Sequence, residues 1–125
     1  MVVTRIELPK HLNGELYYGD NLELLKSLSS ASVDLAYFDS PFFSGRNYTS
    51  KSKVDDGEVR KFDDTFHGNI KEFINYLGIR IQETKRVLKQ TGSIYVHLDW
   101  HAVSDVKIFI MDKLFGRDNF RNHIV

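Results

Sequence analysis

The sequence predicts an α/β domain in which short strands alternate with helices, the signature of a mostly parallel sheet with flanking helices. Three observations predict it. Strand-like runs recur at residues 15–19, 33–38 and 93–98. Apolar residues at helical spacing fill 20–28, 70–88 and 103–114. Capping or stop residues bound these helical stretches.

The elements follow in order. Glu15-Leu16-Tyr17-Tyr18-Gly19 is short and aromatic-rich, as an exposed strand is. Asp20 offers an N-cap with Glu23 three residues on, and Leu22, Leu25 and Leu28 share one helical face. The serines from Ser29 to Ser32 close that helix. Val33-Asp34-Leu35-Ala36-Tyr37-Phe38 is nearly continuous in apolar residues, as strands covered on both faces are. From Phe43 to Phe66 no period is sustained, and a long mobile loop is expected. Asn69 and Glu72 cap a helix carrying Ile70, Phe73, Ile74, Leu77, Ile81 and Leu88, with Gly92 just past its end. Ser93 to Leu98 reads as a strand. A helix through Val103, Val106, Ile110 and Leu114 stops at Gly116, and Phe120 to Val125 reads as the start of a further strand.

Composition narrows the function. The 125 residues are 42% hydrophobic and 27% charged, a globular balance. Lys plus Arg and Asp plus Glu both number 17, so bulk positive charge does not drive binding to nucleic acid. There are no cysteines, which excludes disulfide frameworks, cysteine–zinc clusters and thiol nucleophiles. No apolar run approaches the roughly 20 residues of a membrane span, and none near the N-terminus has signal-peptide length. The expected location is cytoplasmic, with no membrane partner.

In an open parallel sheet, ligands bind beyond the carboxyl ends of the strands. That edge here carries Asp20, the segment Asp39-Ser40-Pro41-Phe42, and His97 to His101. The strand ending in Asp39-Ser40-Pro41-Phe42 resembles the Asp-Pro-Pro-Tyr or Asp-Pro-Pro-Phe signature of the DNA methyltransferases that modify exocyclic amino groups. The likeness continues through Tyr18-Gly19-Asp20-Asn21, Ser32-Val33-Asp34-Leu35, Ser44-Gly45-Arg46 with Tyr48, and Phe62-Asp63-Asp64-Thr65. It extends over Thr91 to His101, Phe115-Gly116 and Phe120-Arg121-Asn122. The chain looks like the amino-terminal part of such an enzyme, in the permuted order that places the catalytic motif before the cofactor motif.

The resemblance implies a partial, incomplete Rossmann-like fold that uses S-adenosylmethionine, double-stranded DNA as partner, and a place in a restriction–modification system. It implies that Asp39 and the Ser40 carbonyl accept the two N–H bonds of the target amino group. Pro41 shapes the turn, and Phe42 stacks on a base flipped out of the duplex. Asp20 resembles the residue near the cofactor's adenine, Asp39 also approaches its methionine end, and Arg46 and Tyr48 fall in the DNA-contacting region. An Asp at the first position favours adenine N6 over cytosine N4. No metal is implied.

Two departures stand out. Ser40 occupies the place of the family's first proline, adding an N–H and a hydroxyl where proline would fix φ. No two glycines are separated by one residue, so the cofactor's Phe-x-Gly-x-Gly-like turn is absent, as is a target-recognition region. Residues 1–125 are therefore expected to be inactive alone, completed by a missing carboxyl-terminal part or a complementing chain, with self-association through an unfinished sheet. Other readings stay open at this level. Asp20 also serves as a plain helix cap, and the charges from Arg46 to Asp64 as a solvated loop. His97, Asp99 and His101 alternate as metal ligands or as pocket-lining residues, and Trp100 reads as packing. A metal-dependent hydrolase or nuclease using Asp39, Asp63, Asp64, His97 and His101 is the alternative enzyme, and a non-enzymatic remnant or interaction module the other alternative.

Overall fold

The computed structural model describes residues 3–45, 47–51, 59–63 and 66–125, with the backbone alone for 47–51, 59–63 and 67. The fold is mixed α/β, and the chain divides into two compact units: residues 1–36 with 79–93, and 37–78 with 94–125.

In the first unit, β1 (Thr4–Ile6) pairs antiparallel with β2 (Leu16–Tyr18), Thr4 opposite Tyr18 and Ile6 opposite Leu16. Helix α1 (Asn21–Ser27) starts at Asp20, whose side chain accepts from the Leu22 N–H at 2.9 Å. Glu23 completes no capping box; it binds Lys26 instead. The N–H groups of Ala31 and Ser32 donate to the carbonyls of Arg86 and Val87 at 3.1 and 2.8 Å, satisfying acceptors that a helix end leaves open. Ile81, Thr84, Val87 and Leu88 are buried here, the aliphatic ones contributing about 1.5–3 kcal/mol each.

In the second unit, β4 (Asn47–Lys51) and β5 (Val59–Asp63) pair antiparallel, with Tyr48 opposite Phe62. The segment expected to be one long loop therefore contains a hairpin. Backbone groups alone satisfy such a ladder, so it needs no apolar period to form. The core consists of Phe73, Leu77, Ala102, Val106 and Ile110. The last two lie on a helical run: α3 (Val103–Val106), a π-helical turn at Lys107–Met111 and α4 (Asp112–Phe115). Gly116, at φ 84°, ends it as expected.

Helix α2 (Ile70–Val87), β3 (Val33–Asp39) and β6 (Leu88–His97) contribute residues to both units, and β3 pairs with β6. Asn69 caps α2 through its Oδ1, which accepts from the N–H groups of Lys71 and Glu72 at 3.1 and 3.4 Å.

Several expectations are corrected. The β1–β2 and β4–β5 pairs are antiparallel, and among the described residues the strands form three two-stranded pairs rather than one mostly parallel sheet. The unforeseen β1 takes the backbone partners of β2. Gly92 is not a helix stop but lies inside β6, because α2 gives way directly to strand at Leu88. A Cβ at Gly92 would stand 3.0 Å from the Lys89 carbonyl and 3.2 Å from that of Asp34. Glycine is favoured there by the close approach of backbone, not by a turn. Residues 120–125 form no strand, since no neighbour supplies a ladder among the described residues.

Candidate functional site

The second unit presents the turn after β3. Asp39 ends the strand with its carboxylate about two-thirds exposed. Its Oδ1 lies 3.1 Å from His97 Nδ1, at the end of β6. The Phe42 ring stands 5.1 Å from the His97 ring with a 59° tilt, and Tyr37 lies 6.5 Å from the same imidazole. A carboxylate, an imidazole and an aromatic ring thus share one locus. Because Asp39 is open to water, with His97 beside one of its oxygens, it retains lone pairs for a donor from outside.

The turn is held by aromatic packing. Phe43 has φ 62°, a left-handed conformation that a bulky residue rarely adopts. Its ring lies 5.5 Å from the buried Phe73 of α2 and 6.4 Å from Phe66. Phe66, itself at φ 41°, packs edge-on against Phe73 at 5.1 Å and beside Tyr76 at 5.3 Å. Ser40 hides its hydroxyl from water, with no hydrogen-bond partner among the described residues.

His97 also lines a cavity of about 500 Å³, together with Tyr37, Tyr95, Lys107, Phe120 and His123 among others. Lys107 is not free within it: its Nζ binds Asp112 at 2.9 Å and lies 4.6 Å over the Phe120 ring. His97 thus touches the cavity, Asp39 and Phe42.

In the first unit, Asp20 is both a cap and half of an ion pair. The Arg80 guanidinium donates to its Oδ1 and Oδ2 at 2.9 and 3.1 Å, and to Asn21 Oδ1 at 2.9 Å. The Leu22 N–H bond, reinforced by Arg80, outweighs partial burial and holds the Asp20 carboxyl below its usual range. Three contacts from two nitrogens, Leu22 N and Arg80 Nη2, occupy the carboxylate, two on Oδ1 and one on Oδ2, leaving one lone-pair site on Oδ2.

The remaining expected residues divide. Arg46 and Asp64 lie outside the described residues, and Tyr48 and Asp63 are known by their backbone in β4 and β5. Trp100 is not packing. It is 80% exposed and stacks on His101 at 3.9 Å, and His101 Nδ1 lies 2.7 Å from Asp99. That pairing turns Asp99 and His101 towards each other, and among the described residues no three acidic or histidine side chains cluster as a metal site would need. His97, read from the sequence as a pocket-lining residue or a metal ligand, does line the cavity. Its signal was its place at a strand end, in the edge where ligands of such sheets bind.

Residues 33–125 match the family of DNA methylases. The type II methyltransferase M.KpnI of Klebsiella pneumoniae is 34% identical over 116 residues, covering 90% of this chain and 26% of that protein. The type II methyltransferase M.BamHI of Bacillus amyloliquefaciens is 31% identical over 111 residues, covering 89% of this chain and 22% of its own length. The DNA adenine methyltransferase YhdJ of Escherichia coli is 33% identical over 81 residues, covering 65% of this chain and 23% of that protein. The chain spans about a quarter of the length of these curated relatives.

Proposed function

This chain belongs to the N6/N4 DNA methylase family, and we propose that it carries the catalytic strand of an S-adenosylmethionine-dependent DNA methyltransferase. The target is the exocyclic amino group of a flipped base, adenine N6 ahead of cytosine N4. The observation that carries the reading is Asp39: a water-accessible carboxylate at a strand end, beside an aromatic ring on the same turn. One of the relatives, the Escherichia coli DNA adenine methyltransferase, supports adenine.

The chemistry follows from the substrate. An aromatic amino group has its lone pair drawn into the ring and is a poor nucleophile. Asp39 and the Ser40 carbonyl accept its two N–H bonds, which draws the nitrogen towards tetrahedral geometry and localises the pair. Phe42 stacks on the base and offsets part of the few kcal/mol lost on leaving the duplex. When bound, S-adenosylmethionine would supply the methyl as an activated sulfonium group, and the proton that the methylated nitrogen must shed would pass to water at the exposed Asp39.

The donor set fits that cofactor in part. Asp39, exposed and anionic, suits the cationic methionine end. Asp20 has one lone-pair site left on Oδ2 for a hydroxyl or amino donor of the nucleoside end. We infer that the mixed α/β arrangement is part of a Rossmann-like domain, residues 1–125 being its amino-terminal portion, and that residues outside this chain complete the cofactor and DNA sites. Arg46 and Tyr48 are proposed to contact the DNA.

The test is methyl transfer from labelled S-adenosylmethionine to duplex DNA, by this chain alone and joined to the remaining length of the Klebsiella relative. The completed protein should methylate DNA and yield N6-methyladenine on digestion, while the chain alone should not. Transfer that persists at the wild-type rate in Asp39→Ala would refute the assignment of the carboxylate.

A further inference from the structure

The chain's one tryptophan has no role in the chemistry above, yet its surroundings hold it in place. Trp100 is 80% exposed, so it adds little to the core. Its indole lies 3.9 Å from the His101 imidazole, the two rings 23° from parallel. Asp99 in turn holds His101 at two points. Its Oδ1 accepts from the His101 backbone N–H at 2.9 Å, and its Oδ2 lies 2.7 Å from His101 Nδ1. Ala102, next in the chain, is fully buried and ties the turn to the core of the second unit. A lone exposed side chain needs no explanation, but a ring set in advance by its neighbours does. The turn's place supplies one. β6 ends at His97, whose imidazole lies beside Asp39 at the end of β3. Trp100 follows three residues later, within about 11 Å of chain from that point. The open indole therefore stands at the same strand ends as Asp39 and Phe42.

We propose that Trp100 is a DNA-binding residue whose indole stacks on the base left unpaired in the duplex when the target nucleotide flips out. This rests on the reading of the site as one that takes a flipped base. Extrusion breaks the stacking and pairing of the target and leaves a hole in the duplex. Phe42 meets the extruded base, so another surface must cover what stays behind. Every base has a π-face, so an indole can serve there whatever the sequence. Because the ring is set before binding, little rotamer freedom is lost when the base arrives. The adenine of the cofactor is a second source of the same flat ring, and the experiment separates the two.

Two measurements on the completed enzyme decide it. Trp100→Ala should lower kcat/KM for paired duplex DNA roughly ten- to hundredfold, and Trp100→Phe far less. On DNA with an abasic position opposite the target, the wild type and Trp100→Ala should come nearly level, since no pairing is broken and no partner base needs covering. Equal losses on both duplexes, or no loss on either, overturn the proposal. In protein labelled with fluorinated tryptophan, the Trp100 fluorine signal, identified by its loss in Trp100→Phe, should report a solvent-exposed ring before DNA is added. It should move with duplex DNA and stay unmoved with S-adenosylmethionine alone. A signal moved by the cofactor alone assigns the ring to the adenine, and one shielded from solvent without DNA assigns it to packing against the rest of the protein. Either result, or a signal indifferent to DNA, overturns the proposal. A wild type whose signal moves with DNA but that transfers no methyl instead sinks the reading of Asp39, so the two failures stay apart.

Discussion

Removing either partner of the Asp20–Arg80 pair should destabilise the first unit, but by unequal amounts. The Arg80 side chain is 8% exposed and that of Asp20 is 37% exposed. Asp20→Ala strands a buried guanidinium without its carboxylate, which costs about 3–5 kcal/mol, and it also removes a cap of about 1 kcal/mol from α1. Arg80→Met leaves a carboxylate that water can reach and a thioether that fills the space, so its cost should stay near 1–2 kcal/mol. The two variants should therefore differ by at least about 2 kcal/mol in urea unfolding at neutral pH. Salt should change the difference little, because the guanidinium is buried. Asp20→Asn adds a pH signature. The carboxyl is held low by the Leu22 N–H and then by Arg80. Its contribution is fully present above the ordinary carboxylate pKa of about 3.9 and is lost as pH falls through the lower folded-state value. The wild type should lose stability across that window, and Asp20→Asn should lose less. Arg80→Met costing as much as Asp20→Ala would show that burial asymmetry does not govern this pair.

Three further outcomes are expected. Phe42→Ala in the completed enzyme should raise the transfer barrier by about 1–3 kcal/mol, read as kcat/KM for DNA, while Phe42→Tyr should be tolerated. Ser40→Ala should stabilise the chain by about 1 kcal/mol in urea unfolding, since it removes a buried hydroxyl without a partner among the described residues. Gly92→Ala should cost about 1–3 kcal/mol, because two backbone carbonyls stand where its methyl must go; an unchanged midpoint would refute that packing.

The parts of the fold that could be read from the sequence are those whose signal is local. Asn69 and Asp20 cap helices because an oxygen two residues before a free N–H needs no distant partner. The apolar spacing of Phe73, Leu77 and Ile81 marks the buried face of α2 for the same reason. The end of that helix was misread because Leu88 suits either a helix face or the start of a strand, and pairing of β6 with β3 decides between them. The β4–β5 hairpin was missed because a ladder of backbone bonds leaves no necessary trace in side-chain pattern. At the candidate site, the turn at Asp39 was legible as a motif. Its tie to His97 joins residues 58 apart in the chain, and that of Asp20 to Arg80 residues 60 apart. Such pairs have no local signal at all.

The serine at position 40 shows how one turn can be fixed by different means. In an Asp-Pro-Pro-Phe segment, two pyrrolidine rings restrict φ covalently. Here the first is replaced by Ser40, and restriction must come from packing. Phe43 and Phe66 each sit at positive φ, an arrangement that costs about 1–3 kcal/mol per residue and persists only where the surroundings impose it. Those surroundings are the buried Phe73 and the neighbouring Tyr76 on α2, against which the two strained rings pack. Ring contacts of this kind are worth about 0.5–1.5 kcal/mol each beyond the area they bury, enough together to offset the strain. The aromatic cluster therefore stands in for the missing proline, and it grips the chain just past Phe42. A rigid anchor there holds the far end of the four-residue turn while leaving the Asp39 carboxylate open to water.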